Sequence, residues 1–150
     1  MLINFSLYCN LFKDSTMTTL IGSCVCGEIT FSVEDQFAYA GYCHCSLCRK
    51  SSGASGTAIG GVLSKYFKIT KGQQHLKRYH RSADTVSCFC GLCGSTLFGE
   101  KPSINRVHIR YGALNTSPSL LPQAHMHVAS KADWYEITDL LPQFEAFPPQ

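Results

Sequence analysis

"YCHCSLCRKSSG", residues 42–53, sets Cys43, Cys45 and Cys48 within six residues and follows them with Arg49 and Lys50. Thiolate is a soft donor that zinc favours, and the two-residue spacer between Cys45 and Cys48 lets two sulfurs reach one tetrahedral ion. The stretch offers three such ligands where a closed zinc site takes four. Two more groups lie along the chain, "GSCVCGE" with Cys24 and Cys26 and "CFCGLCGS" with Cys88, Cys90 and Cys93. Gly27 and Gly94 follow two of these groups, where they suit a tight backbone turn that points amides at sulfur.

Spacing leaves two partitions open. Cys45/Cys48 and Cys90/Cys93 can pair as one zinc ribbon, which leaves Cys24, Cys26 and Cys43 without a role. Alternatively Cys24/Cys26 and Cys90/Cys93 close one site, and Cys43, Cys45 and Cys48 form a second with one coordination position open. Structural zinc sites are closed and catalytic ones keep a position for water or substrate, so the second partition carries a functional implication that the first lacks.

The rest of the chain sets the frame for these cysteines. Its 150 residues fit one domain, and a charged fraction of 15% is too low for a disordered, charge-rich tail. Hydrophobic alternation has mostly a period of two. "EITFSVE" points Ile29, Phe31 and Val33 one way; "KYFKIT", "TVSCFC", "RVHIRYGAL" and "AHMHVAS" read as further strands, the last alternating Met126 and Val128 against His125 and His127. Gly-, Ser- and Pro-containing turns separate them, and no stretch supports an amphipathic helix of three turns. The expected fold is therefore mainly β, of short strands interrupted by cysteine knuckles. Residues 1–20 read as an N-terminal extension, with Met17 opening "MTTLIGSC" like a natural start, and 21–150 as a single zinc-binding catalytic domain.

Several classes recede. The formal net charge is +3, but seven thiolates on two zinc ions would bring it to zero, and the cations are mostly scattered, so a nucleic-acid footprint is not expected. "MLINFSLYCNLF" lacks a basic n-region and a small-residue cleavage site. No apolar run approaches the ~18–20 residues that span a membrane. Nine cysteines in a chain without an export signal point to a cytoplasmic protein that uses them for metal or catalysis.

"GSCVCGEITF", "CHCSLCRKSSG", "FCGLCGSTLF" and "HVASKADW" before "LPQFE" occur in this order. That pattern resembles the glutathione-dependent formaldehyde-activating enzyme family, which includes centromere protein V, over about Gly22 to Pro149. The resemblance implies a β-tent of short antiparallel sheets organised around two zinc sites. It assigns Cys24, Cys26, Cys90 and Cys93 to a structural zinc and Cys43, Cys45 and Cys48 to a catalytic one. It also implies a carbon–sulfur lyase joining glutathione and formaldehyde into S-(hydroxymethyl)glutathione. Cys9 and Cys88 fall outside the pattern, and Cys88 is expected as a small buried side chain.

Three thiolates reduce the Lewis acidity of zinc and suit activation of an incoming thiol better than polarisation of a carbonyl. A thiol such as glutathione carries carboxylates, for which Arg49 is the first candidate, ahead of Lys50, Arg110 and Lys131, whose default is a solvated surface. His44, His125 and His127 show no partner in the sequence, and Trp134 is expected to cap the core. The competing class is a non-catalytic zinc-scaffolded module for protein partners; the long basic or Pro-rich arm that would favour it is not seen.

Overall fold

A computed structural model describes residues 17–149; most of the expected extension, residues 1–16 with Cys9, lies outside the described residues. The strands in chain order are β1 (Thr19–Ser23), β2 (Thr30–Glu34), β3 (Tyr39–Cys43), β4 (Thr57–Leu63), β5 (Phe67–Lys71), β6 (Leu76–Ser82), β7 (Thr85–Cys90), β8 (Thr96–Lys101), β9 (Arg106–Arg110) and β10 (His125–Met126). One short helix, α1 (Ser46–Ser52), joins β3 to β4. Thr19 and Leu20, assigned from the sequence to the extension, belong to β1, and Leu20 is buried.

Two sheets result. The smaller has the order β1-β2-β5 and the larger β10-β3-β4-β9-β8-β7-β6. Every pairing is antiparallel except the two-residue β10, which runs parallel to β3. This is the mainly β fold of short antiparallel sheets that the alternation predicts. Leu20, Ile29, Phe31 and Val33 from the small-sheet side meet Val62, Val86, Leu97, Phe98, Val107 and Ile109 of the large sheet. Phe98 sits 4.5 Å from Phe67 and 6.5 Å from Phe31, centroid to centroid. Burying such rings and aliphatic chains stabilises each by roughly 1.5–3 kcal/mol, and here it holds two otherwise one-sided sheets together. Cys88 is buried in this core, as its expected role requires.

Some sequence patterns give way to local structure. In "KYFKIT" the segment Ser64–Tyr66 forms a 3-10 turn and the strand begins at Phe67. "RVHIRYGAL" ends as strand at Arg110 and turns through Tyr111–Ala113. "AHMHVAS" contributes only β10: His127 adopts φ 57° and Val128–Ser130 is a 3-10 turn. The alternation expected there fails because His125, like Met126, is buried. Among the described residues no helix is long and apolar enough to cross a membrane.

Candidate functional site

Cys24 and Cys26 lie in the turn after β1, and Cys90 and Cys93 flank the turn between β7 and β8. Gly27 and Gly94 take φ of 73° and 78°, the left-handed conformation that glycine adopts freely. Their amides donate back to the Cys24 and Cys90 carbonyls, closing each turn so that its two sulfurs face the other pair. All four sulfurs lie within 4.8 Å of one another, with Cys24–Cys26 at 3.4 Å and Cys26–Cys90 at 3.8 Å. The Ile29 amide donates to Cys24 Sγ at 3.2 Å. Burial resists ionisation of Cys24, yet that amide and its sulfur neighbours lower its pKa. The Ser95 hydroxyl, then the Ser95 amide, pulls the Cys93 thiol down to about 5. The Glu28 amide favours the Cys26 thiolate, but the neighbouring Cys24 sulfur and burial push that thiol up to about 12, so ionisation is shared unevenly among four ligands that a divalent cation would need as thiolates.

The second group is built by α1. Cys43 ends β3, Cys45 is the helix N-cap and Cys48 lies within the helix. The Cys45 sulfur accepts from the Cys48 amide at 3.3 Å, in the place that an N-cap oxygen usually fills. At the other end Gly53, φ 67°, returns its amide to the Arg49 carbonyl at 2.8 Å. The three sulfurs also lie within 4.8 Å of one another, and among the described residues no fourth cysteine, histidine or carboxylate joins them. The ribbon partition therefore does not form: Cys45 and Cys48 gather with Cys43, not with Cys90 and Cys93. Cys43 and its crowded neighbours hold the Cys48 thiol well below the ordinary range, aided by the Arg110 guanidinium. The same crowding by Cys45 and Cys48 drives the Cys43 thiol far up.

Three residues around this group depart from their sequence reading. Arg110 is not on a solvated surface: it is 7% exposed, and its NH1 donates to Cys48 Sγ at 3.6 Å. His44 and His125 do have partners. His44 Nδ1 donates to the Ser55 carbonyl at 3.2 Å, and its Nε2 lies 2.8 Å from His125 Nδ1. His125 Nε2 is 3.0 Å from both Asp139 oxygens. Tyr42 and Tyr135 stack on the outer sides of this pair, and burial lowers the His44 pKa. The sequence shows both histidines but not that β10 lies beside β3, which is what brings them together.

Of the other expected cations, Arg49 donates through NH2 to the Ser130 carbonyl at 3.2 Å, Lys131 caps the Ala132 and Tyr135 carbonyls, and Lys50 is exposed. His127 packs its ring edge-on against Phe147. Trp134 does not cap the core; it is 74% exposed.

An open cleft of about 570 Å³ separates α1 from the turn between β7 and β8, lined among others by Ser51, Thr57, Cys93, Thr96 and Arg110. It reaches the four-sulfur group through Cys93 and the three-sulfur group through Arg110. The Thr96 hydroxyl donates to the Ser51 carbonyl at 2.9 Å across its base.

Residues 19–130 match a family model described as "Glutathione-dependent formaldehyde-activating enzyme". A protein of Halomonas elongata named "Putative glutathione-dependent formaldehyde-activating enzyme" is 31% identical over 126 residues, which cover 79% of this chain and 80% of that one. The crystal structure of a Rhodobacter sphaeroides protein shares the fold with a TM-score of 0.55 and 24% identity, over 68% of this chain and 97% of that chain. Two cysteine groups of four and three, on a shared mainly β fold and within a matched span that contains all seven sulfurs, therefore have one meaning for classification: the chain belongs to the glutathione-dependent formaldehyde-activating enzyme family.

Proposed function

We propose that the chain is a zinc-dependent carbon–sulfur lyase that joins a small thiol such as glutathione to a small aldehyde such as formaldehyde, giving S-(hydroxymethyl)glutathione or a close analogue, and reverses the same step. The observation that carries this reading is the separation of seven sulfurs into a set of four and a set of three. Cys24, Cys26, Cys90 and Cys93 are a complete tetrahedral donor set and are proposed to hold a structural zinc. Cys43, Cys45 and Cys48 are proposed to hold a second, catalytic zinc. A Zn²⁺ ion bound there supplies an open position at which an incoming thiol loses its proton near neutral pH.

The donor set fits that ion. Its sulfurs are soft, and a guanidinium faces one of them. Anionic sulfur ligands leave a thiolate nucleophilic, so the aldehyde carbon is attacked by the substrate's sulfur and the carbonyl oxygen takes up a proton. The chain's own residues have the tasks of binding and excluding. The cleft beside Arg110 is large enough for a tripeptide, and Arg49, fixed by Ser130, is proposed to receive a substrate carboxylate from beside Cys48. The eight described cysteines are all free, which supports a reducing cytoplasm as the place of action.

Zinc quantification followed by glutathione titration of the cobalt-substituted protein tests the reading. Two metal ions per chain, a change in the metal absorption on adding glutathione, and loss of thiol–aldehyde turnover in Cys45→Ser are expected. One metal per wild-type chain together with unchanged turnover in Cys45→Ser refutes it.

A further inference from the structure

The Arg110 side chain poses an unsolved problem in charge. It is 7% exposed, its Nε is buried without a hydrogen-bond partner, and among the described residues no carboxylate lies within ion-pair distance. Burying an unpaired cation costs several kcal/mol, so an anion must face it. The neighbour it does have is Cys48 Sγ, 3.6 Å from NH1. β9 leaves the side chain little freedom, because Val107 and Ile109 anchor the opposite face of the strand in the core while Arg110 pairs with Ile59 on β4. On the same face of β9, His108 Nε2 meets the Tyr39 hydroxyl at 2.6 Å.

We propose that Arg110 is the counter-charge of the three-cysteine centre and a positioning residue within it: its guanidinium, buried at NH1–Sγ distance from Cys48, keeps that sulfur as a hydrogen-bonded ligand and makes it a poor nucleophile toward the aldehyde. The assignment rests on the reading given under Proposed function. Three thiolates around a divalent zinc carry a net charge of −1, which Arg110 neutralises, so a fourth, external thiolate joins a neutral centre and not an anionic one. Hydrogen bonding to a metal-bound sulfur also withdraws charge from it. Without it, the Cys48 lone pair would form a carbon–sulfur bond to the aldehyde carbon, the carbonyl pair would move to oxygen, and that oxygen would take a proton from water. The centre would lose a ligand to its own substrate. Arg110 directs the electrophile instead to the incoming thiolate, which has no such donor.

The test reads the reactivity of individual sulfurs in the zinc-loaded full chain, using iodoacetamide as the electrophile and peptide mass spectrometry to locate the adduct. Cys43 and Cys48 are equally buried, at 5% and 6% exposed, so burial does not separate them. In the wild type Cys48 is expected to alkylate several-fold more slowly than Cys43. In Arg110→Gln it should react roughly tenfold faster than in the wild type, as loss of a charge-assisted hydrogen bond implies, and release one zinc equivalent to a chelating dye. Arg110→Lys, which keeps the charge and a donor, restores most of the protection. Equal rates at Cys43 and Cys48 in a wild type holding two zinc ions overturn the assignment of Arg110 alone, and that comparison requires no variant to fold. A wild type that binds one zinc ion and alkylates freely at Cys43, Cys45 and Cys48 overturns the catalytic-zinc reading and this assignment with it.

Discussion

His108 should make the protein acid-sensitive in a defined window. Burial, then the charges of Lys101, Arg110 and Arg106, lowers its pKa from 6.5 to about 4, while its Nε2 stays 2.6 Å from the Tyr39 hydroxyl. In the unfolded chain it returns to about 6.5. Between these values the unfolded state binds a proton that the folded state refuses, so unfolding free energy falls as pH falls. The contribution is fully present above about pH 6.5, declines toward pH 4, and is flat below both values. A gap of about 2.5 pH units at about 1.4 kcal/mol per unit amounts to at most about 3.5 kcal/mol, a large part of the 5–15 kcal/mol that typically holds a domain. Thiolate ligands also take up protons in acid and release metal, so the wild-type curve alone is not diagnostic. Urea unfolding of wild type and His108→Gln in parallel, from about pH 7.5 to pH 4.5, removes the shared contribution. The stability of the wild type relative to the variant should fall by about 2–3 kcal/mol across that range. Parallel curves would refute the reasoning, because they would mean that His108 takes up its proton equally in both states.

Removal of ligands should discriminate the two cysteine groups. Cys90→Ser is expected to lose cooperative unfolding, since that group joins the two sheets, whereas Cys45→Ser should keep a cooperative transition and one bound zinc; circular dichroism melts with metal analysis would show the difference, and equal damage from both would contradict it. Gly22→Ala places a Cβ 2.1 Å from Phe31 Cζ, inside the packed core, and should destabilise by about 1–3 kcal/mol or more in urea unfolding; a neutral effect would mean that the ring moves freely. His125→Leu leaves His44 Nε2 buried without a partner and should cost about 1–3 kcal/mol, with faster amide exchange in the segment 139–144 that His125 ties down.

Much of this was readable from residue order, and the exceptions share a cause. The strands with clean alternation, such as β2 and β7, form where the pattern places them, because one face of each lies on the core. The seven sulfurs were countable, and the family resemblance gave the partition that spacing alone left open, since spacing along the chain does not state which turns meet across two sheets. Arg110 was given a solvated surface as its default because arginine is ordinarily exposed. Only the neighbouring β4 and the α1 knuckle reveal that Arg110 turns inward. His125 escaped for the same reason: β10 is two residues long and parallel to β3, pairing His125 with Tyr42 and Met126 with Cys43, positions 83 residues apart. Trp134 was expected to cap the core, but it stands in a turn closed by the Tyr135 amide on the Ala132 carbonyl and points its ring to solvent.

The turn between β7 and β8 belongs to both cysteine groups at once. It carries Cys90 and Cys93, receives the Val25 amide on the Ser95 hydroxyl at 3.0 Å, and leans on α1 through Thr96. Should that shared turn couple occupancy at one group to order at the other, the linkage would be reciprocal. A thiol that binds better when the four-sulfur group is metallated must tighten that metal by the same factor. A zinc ion held as proposed by the four-sulfur group would then report on substrate, and its rate of loss to a chelator would measure how full the cleft is.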